Sequence, residues 1–129
     1  MDLSKTNLLS ALYCGFYGLT LFCLPEMFYG PKGLMPYFKH EAGFTGMFYG
    51  RAFGAMNLAL ASGYYFESGS VLVTKMFTTA LVLMIPLFSM AAVDPDNYVK
   101  FMWCLQFIPH CLLIGMNFHA ISAKESKKS

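Results

Sequence analysis

The side chains best suited to chemistry lie inside apolar stretches, and His110 ranks first among them. At 100° per residue, Gln106, His110 and Asn117 line one face of a helix, while His119 points away. A ring nitrogen of His110 could ligate the iron of a haem or the magnesium of a chlorophyll, or contact a quinone. Because His119 faces elsewhere, a bis-histidine haem within one chain is disfavoured. The structural alternative is a histidine hydrogen-bonded within a helix bundle, so His110, Gln106 and Asn117 are candidate ligand or cofactor contacts only.

Arg51 is the one formal charge well inside a predicted membrane span. An arginine costs roughly 2.5–3.5 kcal/mol at a helix centre on insertion scales, and less near the interface. A carboxylate would satisfy its donors, and the acids on the same predicted side include Asp94, Asp96 and Glu26. We expect an ion pair with Asp94 or Asp96 first and with Glu26 second. Snorkelling to headgroups and an anionic ligand are the alternatives.

Glycines at four-residue spacing precede an asparagine on the same predicted helix. Gly46, Gly50 and Gly54 repeat the GxxxG pattern, and Asn57 falls on the same face. In lipid, small residues let helix backbones approach closely, and an asparagine can hydrogen-bond across helices. We therefore expect Gly46, Gly50, Gly54 and Asn57 to form a helix-packing face, with Asn57 donating to a neighbouring helix.

Several kinds of catalytic or metal site are excluded or disfavoured by spacing. Ser62, His110 and Asp94 fall at different membrane levels, so a hydrolytic triad is not credible and no catalytic residue is assigned. No CxxC or Cys/His metal spacing occurs, so no metal site is expected. An enzyme is the less favoured interpretation. Four cysteines fall in apolar runs and are expected to be buried free thiols: Cys14, Cys23, Cys104 and Cys111.

Composition identifies the elements that must position these side chains. Hydrophobic residues make up 57% and charged residues 12% of the 129 residues, against roughly 45–50% and 25% in soluble domains. The net charge of +2 and the absence of basic aromatic patches argue against nucleic acid as a partner. The sequence predicts an all-α polytopic membrane protein, with residues 1–129 forming a single transmembrane domain. Four spans of roughly the required 20 residues are predicted over residues 8–24, 43–66, 71–93 and 98–121.

The predicted spans give an orientation and a depth for the polar residues. The second and fourth spans run parallel. Asn57 then lies at nearly the same depth in the membrane as His110, and Arg51 lies at the same shallower depth as Gln106. A polar seam shared by these two helices is therefore geometrically possible. An even number of spans places both termini on one side, and a small excess of lysines, including Lys127 and Lys128, favours the cytoplasmic, stromal or matrix side. An organellar inner or thylakoid membrane is compatible with this pattern.

The overall layout resembles small four-helix membrane proteins of the DoxX-like kind. The shared features are the size, the four predicted spans and the pair Gly50-Arg51 early in the second span. That group includes quinone-linked oxidoreductase subunits and proteins without known activity. The resemblance implies a redox-accessory role and identifies no catalytic residue.

Three functions remain open from the sequence. The favoured one is a non-catalytic accessory or structural subunit of a larger membrane complex of respiratory or photosynthetic type, with lipid and other membrane subunits as partners. The alternative is a redox protein that handles a quinone or pigment through His110, Gln106 and Arg51. The third is a small transporter, which is disfavoured because no inverted repeat with broken helices is visible.

Overall fold

The computed structural model describes residues 2–126 and is all-α, which confirms the predicted fold class of four long helices. The helices are α1 (Leu3–Cys23), α2 (Phe44–Phe66), α3 (Val71–Val93) and α4 (Lys100–Glu125). A short 3-10 helix, Pro25–Phe28, begins the long loop between α1 and α2. Lys127 and Lys128, which entered the prediction of membrane orientation, lie outside the described residues.

The predicted boundaries are most accurate in the middle of the chain. Helix α3 matches its predicted range, and α2 differs by one residue at its start. Helix α1 begins earlier than predicted, because polar residues such as Asn7 find partners inside the bundle. Helix α4 continues further into the polar tail, where Glu125 pairs with Lys75 of α3.

Prolines end two of the helices. Leu24 precedes Pro25 and Asp94 precedes Pro95, and both residues have left the helical region of φ and ψ. A proline ring disfavours the helical conformation of the residue before it, so the chain must turn at these points. After α3, Asp94 accepts hydrogen bonds from the backbone N–H groups of Asp96 and Asn97 and from Asn97 Nδ2. The bond from the Asn97 side chain, followed by those from the backbone, keeps the pKa of Asp94 below its usual range.

Helix α1 is the central element of the bundle. It packs most extensively against α2 and also contacts α3 and α4, and α3 packs against α4. Its buried face carries small residues, Ser10, Cys14 and Gly18, one helical turn apart. Hydrogen bonds from Ser10 to Asn117 and between Tyr13 and His110 show that α1 and α4 run antiparallel. The described ends of the chain therefore lie at the same end of the bundle.

The polar seam that parallel second and fourth helices would allow is not formed. Across residues 2–126, α2 and α4 make no contact, because α1 packs against both helices and separates them. The polar face of α4 is buried against α1 and α3 instead. A parallel orientation and a common depth do not make two helices neighbours.

Three of the described helices are long and apolar enough to cross a membrane: α1, α3 and α4. Helix α2 is long enough but is not among them. Its glycines, tyrosines, Arg51 and Asn57 leave it without a stretch of membrane-spanning length as apolar as those of the other three helices.

The expectation of four buried thiols is correct for one cysteine only. Cys14 is buried on α1, whereas Cys23, Cys104 and Cys111 are exposed, and all four are free. An apolar run does not distinguish the inner from the outer face of a membrane helix, since both are apolar.

Candidate functional site

His110 lies at the centre of the bundle and is 1% exposed. Its Nε2 atom is 2.6 Å from the backbone carbonyl of Leu81, and its Nδ1 atom is 3.2 Å from the hydroxyl of Tyr13. Leu81 lies on α3, so this bond joins α4 to α3.

These contacts fix the direction of each hydrogen bond in the group. A carbonyl only accepts, so His110 Nε2 carries the proton that it donates to Leu81. In the neutral imidazole Nδ1 is then an acceptor, and Tyr13 donates to it. The Tyr13 oxygen in turn accepts a bond of 3.1 Å from Gln106 Nε2. Both ring nitrogens of His110 are therefore engaged by the protein, and neither is free to ligate a haem or chlorophyll metal.

Asn117 is the remaining member of the predicted face of α4, and it is 0% exposed. Its Oδ1 atom accepts a bond of 3.2 Å from Ser10 Oγ on α1. Its Nδ2 atom is buried without a hydrogen-bond partner among the described residues. The prediction that Gln106, His110 and Asn117 share one face is confirmed by their common burial, and His119 is exposed as expected.

Asn7 is a buried polar residue that the sequence interpretation missed. It is 0% exposed, and its Nδ2 atom donates to the carbonyls of Ser68 and Ser70 at 2.9 and 3.2 Å. Its Oδ1 atom accepts a bond of 2.8 Å from Thr74 Oγ1. Asn7 thus joins α1 to the loop between α2 and α3. Its spacing with Ser10, one turn along α1, is the signal that could have identified it.

The ion pair predicted for Arg51 is absent from the structure. Among residues 2–126 the ion pair is Lys75–Glu125, at 3.0 Å, and Arg51 has no carboxylate within 4.0 Å. Asp94, the first expected partner, is held by its own loop, and neither Asp96 nor Glu26 replaces it. The Arg51 side chain is exposed on the outside of α2.

The predicted packing face of α2 divides into parts with different surroundings. At Gly54 a Cβ atom would lie 2.5 Å from the backbone nitrogen of Phe22, so α1 and α2 cross there in direct backbone contact. Gly50 lies against Pro25, whereas the neighbour of Gly46 is Ala42 of the preceding loop. These three glycines therefore do not face the same partner.

Asn57 makes a hydrogen bond within its own helix. Its Nδ2 atom donates to the carbonyl of Phe53 at 3.0 Å. Because a carbonyl only accepts hydrogen bonds, the carboxamide atom that faces Phe53 has to be the nitrogen, and the Oδ1 atom faces elsewhere. The expected bond to a neighbouring helix is not formed by Asn57 in the described part of the chain.

An aromatic cluster closes the end of the bundle opposite the chain ends. The Tyr37 hydroxyl lies 3.0 Å from that of Tyr17, and the Tyr37 carbonyl accepts a bond of 2.9 Å from Trp103 Nε1. Burial, reinforced by the contact with Tyr17, raises the pKa of Tyr37. Tyr29 is stacked on Phe38, and burial followed by the nearby Tyr98 raises its pKa as well. The loop between α1 and α2 is thereby attached to the start of α4.

A cleft of about 510 Å³ separates α2 from α3, with α1 as its floor. Cys14, Leu81 and Phe88 are buried at its base, while Met56 and Leu83 are about two-thirds exposed at its rim. The wall is apolar apart from Tyr13, Tyr17 and Asn57. No signal in the sequence indicated this cleft, because it depends on how far apart two helices pack.

The described residues contain no group of three or more His, Cys, Asp or Glu side chains that could hold a metal ion. The candidate site is therefore a hydrogen-bonded interior centred on His110, beside an apolar cleft with Asn57 in its wall. Comparison with known proteins adds no assignment: no protein-family model, no curated protein and no solved structure matches this chain.

Proposed function

We propose that this protein is a non-catalytic accessory or structural subunit of a larger membrane complex. The observation that carries the proposal is the engagement of His110 by Tyr13 and Leu81, which leaves its ring nitrogens unavailable to a cofactor. His110, the side chain best suited to chemistry in the sequence, therefore holds helices together. A protein whose polar groups serve its own interior offers other molecules mainly its surface.

The outer surface supports the proposal. Large apolar side chains are exposed along every long helix. On α4, for example, they are Phe101, Leu105, Ile108, Leu112 and Phe118. Such surfaces are covered in a bilayer by lipid or by other membrane helices. The described loops are short apart from the one between α1 and α2, which folds back onto the bundle.

The proposed arrangement has α2 as a fourth span beside the three apolar helices. Its 23 residues would measure about 34 Å at 1.5 Å each, which is sufficient for a hydrocarbon core of ~30 Å. Two of its less apolar residues lie where a membrane span tolerates them. Gly54 packs against α1, and the exposed Arg51 can extend towards headgroups. The chain ends would then face the cytoplasm, stroma or matrix.

The experiment is a measurement of native mass and composition. The tagged chain would be extracted from its own membranes in a mild detergent and analysed by size-exclusion chromatography with light scattering. We expect a protein mass several times the 14.4 kDa of the chain, with other polypeptides in fixed ratio. Elution as a single chain or a dimer of itself would contradict the proposal.

An absorption spectrum separates this proposal from the pigment alternative. We expect the purified chain, after dissociation from its partners, to show no visible absorption band. A haem or chlorophyll band that remains in stoichiometric amount and disappears in His110→Leu would favour the ligand-handling function instead. His119→Leu, on the exposed face of α4, is the matched control.

A further inference from the structure

The cleft between α2 and α3 has the position and the wall of a site for a molecule dissolved in the bilayer. Its rim is formed by exposed apolar side chains of both helices, including Met56, Met76 and Leu83. None of its lining residues carries a formal charge. A charged headgroup would therefore lose its hydration without compensation, so the occupant has to be neutral.

The size of the cleft favours a small molecule over a helix of another protein. One turn of a helix about 10 Å wide and 5.4 Å high occupies roughly 420 Å³. The cleft, at about 510 Å³, would hold little more than one such turn. The same volume lies within the ~300–1,000 Å³ typical of small-molecule sites.

Asn57 specifies the polar group of the occupant. One of its N–H groups bonds to Phe53, and neither the other N–H nor the Oδ1 atom has a hydrogen-bond partner within residues 2–126. An amide exposed to hydrocarbon without partners is unfavourable. A hydroxyl group can donate to Oδ1 and accept from the N–H, whereas a ketone or quinone oxygen only accepts.

We propose that this cleft binds one neutral lipid alcohol, with its hydroxyl group on the Asn57 carboxamide. The apolar body lies between α2 and α3 over Cys14, Leu81 and Phe88. The three methionines of the wall, Met56, Met76 and Met84, adapt to the shape of the body. Sterols and diacylglycerols share this chemistry, and the experiment distinguishes them.

The test is photocrosslinking of the purified full chain in lipid nanodiscs. The probes are a photoactivatable sterol and a photoactivatable diacylglycerol, each compared with its O-acetyl ester. We expect saturable labelling of α2 or α3 peptides by one of the free alcohols and competition by its unlabelled parent. The acetyl ester should bind about three- to tenfold more weakly, since acetylation removes one hydrogen bond.

Three variants connect the labelling to the cleft. Asn57→Leu removes both hydrogen bonds and should weaken binding of the alcohol at least as much as acetylation does, and Ala80→Phe should abolish saturable labelling by filling the cleft. Ala55→Phe, on the exposed side of α2 outside the cleft, is the control and should leave labelling unchanged. If Ala80→Phe does not fold, Ala59→Phe obstructs the same space from the opposite wall.

The proposal is overturned by any of three results. Labelling could fail to saturate with both alcohols, or Asn57→Leu could bind the alcohol as tightly as the native protein. A quinone could also compete better than either alcohol, which would assign the cleft to an acceptor-only ligand. None of these results depends on whether the chain belongs to a larger complex.

Discussion

Single side chains show how the interior of this protein is held together. Tyr13 donates to His110 and accepts from Gln106, so one hydroxyl group connects α1 to two positions on α4. Buried groups that lose such a partner retain the cost of desolvation. Polar contacts between membrane helices are individually modest, averaging about 0.6 kcal/mol and reaching ~1.7 kcal/mol.

We expect Tyr13→Phe to lower the free energy of unfolding by about 1–2 kcal/mol, because His110 Nδ1 and Gln106 Nε2 both lose their partner. Unfolding by a denaturing detergent, followed by circular dichroism, measures the change. Tyr65→Phe is the matched control, since Tyr65 is 85% exposed. Equal stability of the two variants would show that the hydrogen bonds around Tyr13 do not stabilise the bundle.

The stability of the aromatic cluster at high pH should depend on the ionisation of Tyr37. Its folded pKa is raised, so the stabilisation by its neutral form is complete below the ordinary phenol pKa of about 10 and is lost as the pH rises above it. We expect alkaline pH to loosen the aromatic cluster at the loop end, detected as a change in the fluorescence of Trp103. Tyr37→Phe should reduce this pH response, whereas Tyr65→Phe should not. A response that persists in Tyr37→Phe would assign the titration to another group.

Helices α1 and α2 cross in direct backbone contact. Gly18 of α1 and Gly54 of α2 lie where backbone meets backbone, and a Cβ atom at Gly18 would be 2.9 Å from the nitrogen of Leu58. Backbone atoms cannot move aside as a flexible side chain can. The helices would have to separate to admit even a methyl group.

We expect Gly54→Ala and Gly115→Ala to change stability in opposite directions. At Gly54 the strain of overpacking, typically 1–3 kcal/mol, should exceed the gain of about 1 kcal/mol in helix propensity. Gly115 has no neighbour within 4 Å of an added Cβ, so only the gain remains. Detergent unfolding of both variants measures the difference. A destabilised Gly115→Ala would reveal a partner or lipid packed against that surface of α4.

At the scale of the whole molecule, the number of membrane crossings depends on α2. Helices α1, α3 and α4 have the apolar composition of spans, and α2 packs along α1 with a comparable length. If α2 crosses the membrane, the loop that contains Lys32 and the loop that contains Ser68 lie on opposite sides. If it does not, the orientation of α3 and α4 has to change as well.

Cysteine labelling in sealed membrane vesicles tests the crossing of α2. Lys32→Cys and Ser68→Cys would be introduced separately after the native cysteines are replaced by serine or alanine. We expect an impermeant maleimide to label the two positions from opposite sides. Labelling of both from the same side would exclude α2 as a span. Lys100→Cys, at the start of α4, should match Lys32→Cys.

The sequence by itself determined the helices, because the length and apolar composition of a segment and the prolines that end it act locally. The boundaries of α3 followed from its apolar run and the proline after it, and the shared polar face of Gln106, His110 and Asn117 followed from helical periodicity. Packing decided the partners. His110 binds a backbone carbonyl on α3, which carries no signature in the sequence, and Asn7 binds a loop 61 residues away.

The tertiary structure also decided which surfaces are inside. Arg51 could be placed in α2 from the sequence, yet packing turned it to the outer surface of α2, where no carboxylate of residues 2–126 lies within 4.0 Å. Asn57 was expected to hydrogen-bond to a neighbouring helix; it does pack against Gly18 of α1, but its hydrogen bond stays within α2 and it also lines a cleft. In a membrane protein both the interior and the lipid-facing surface are apolar, so hydrophobicity assigns a residue to a helix but leaves its neighbours to be set by packing.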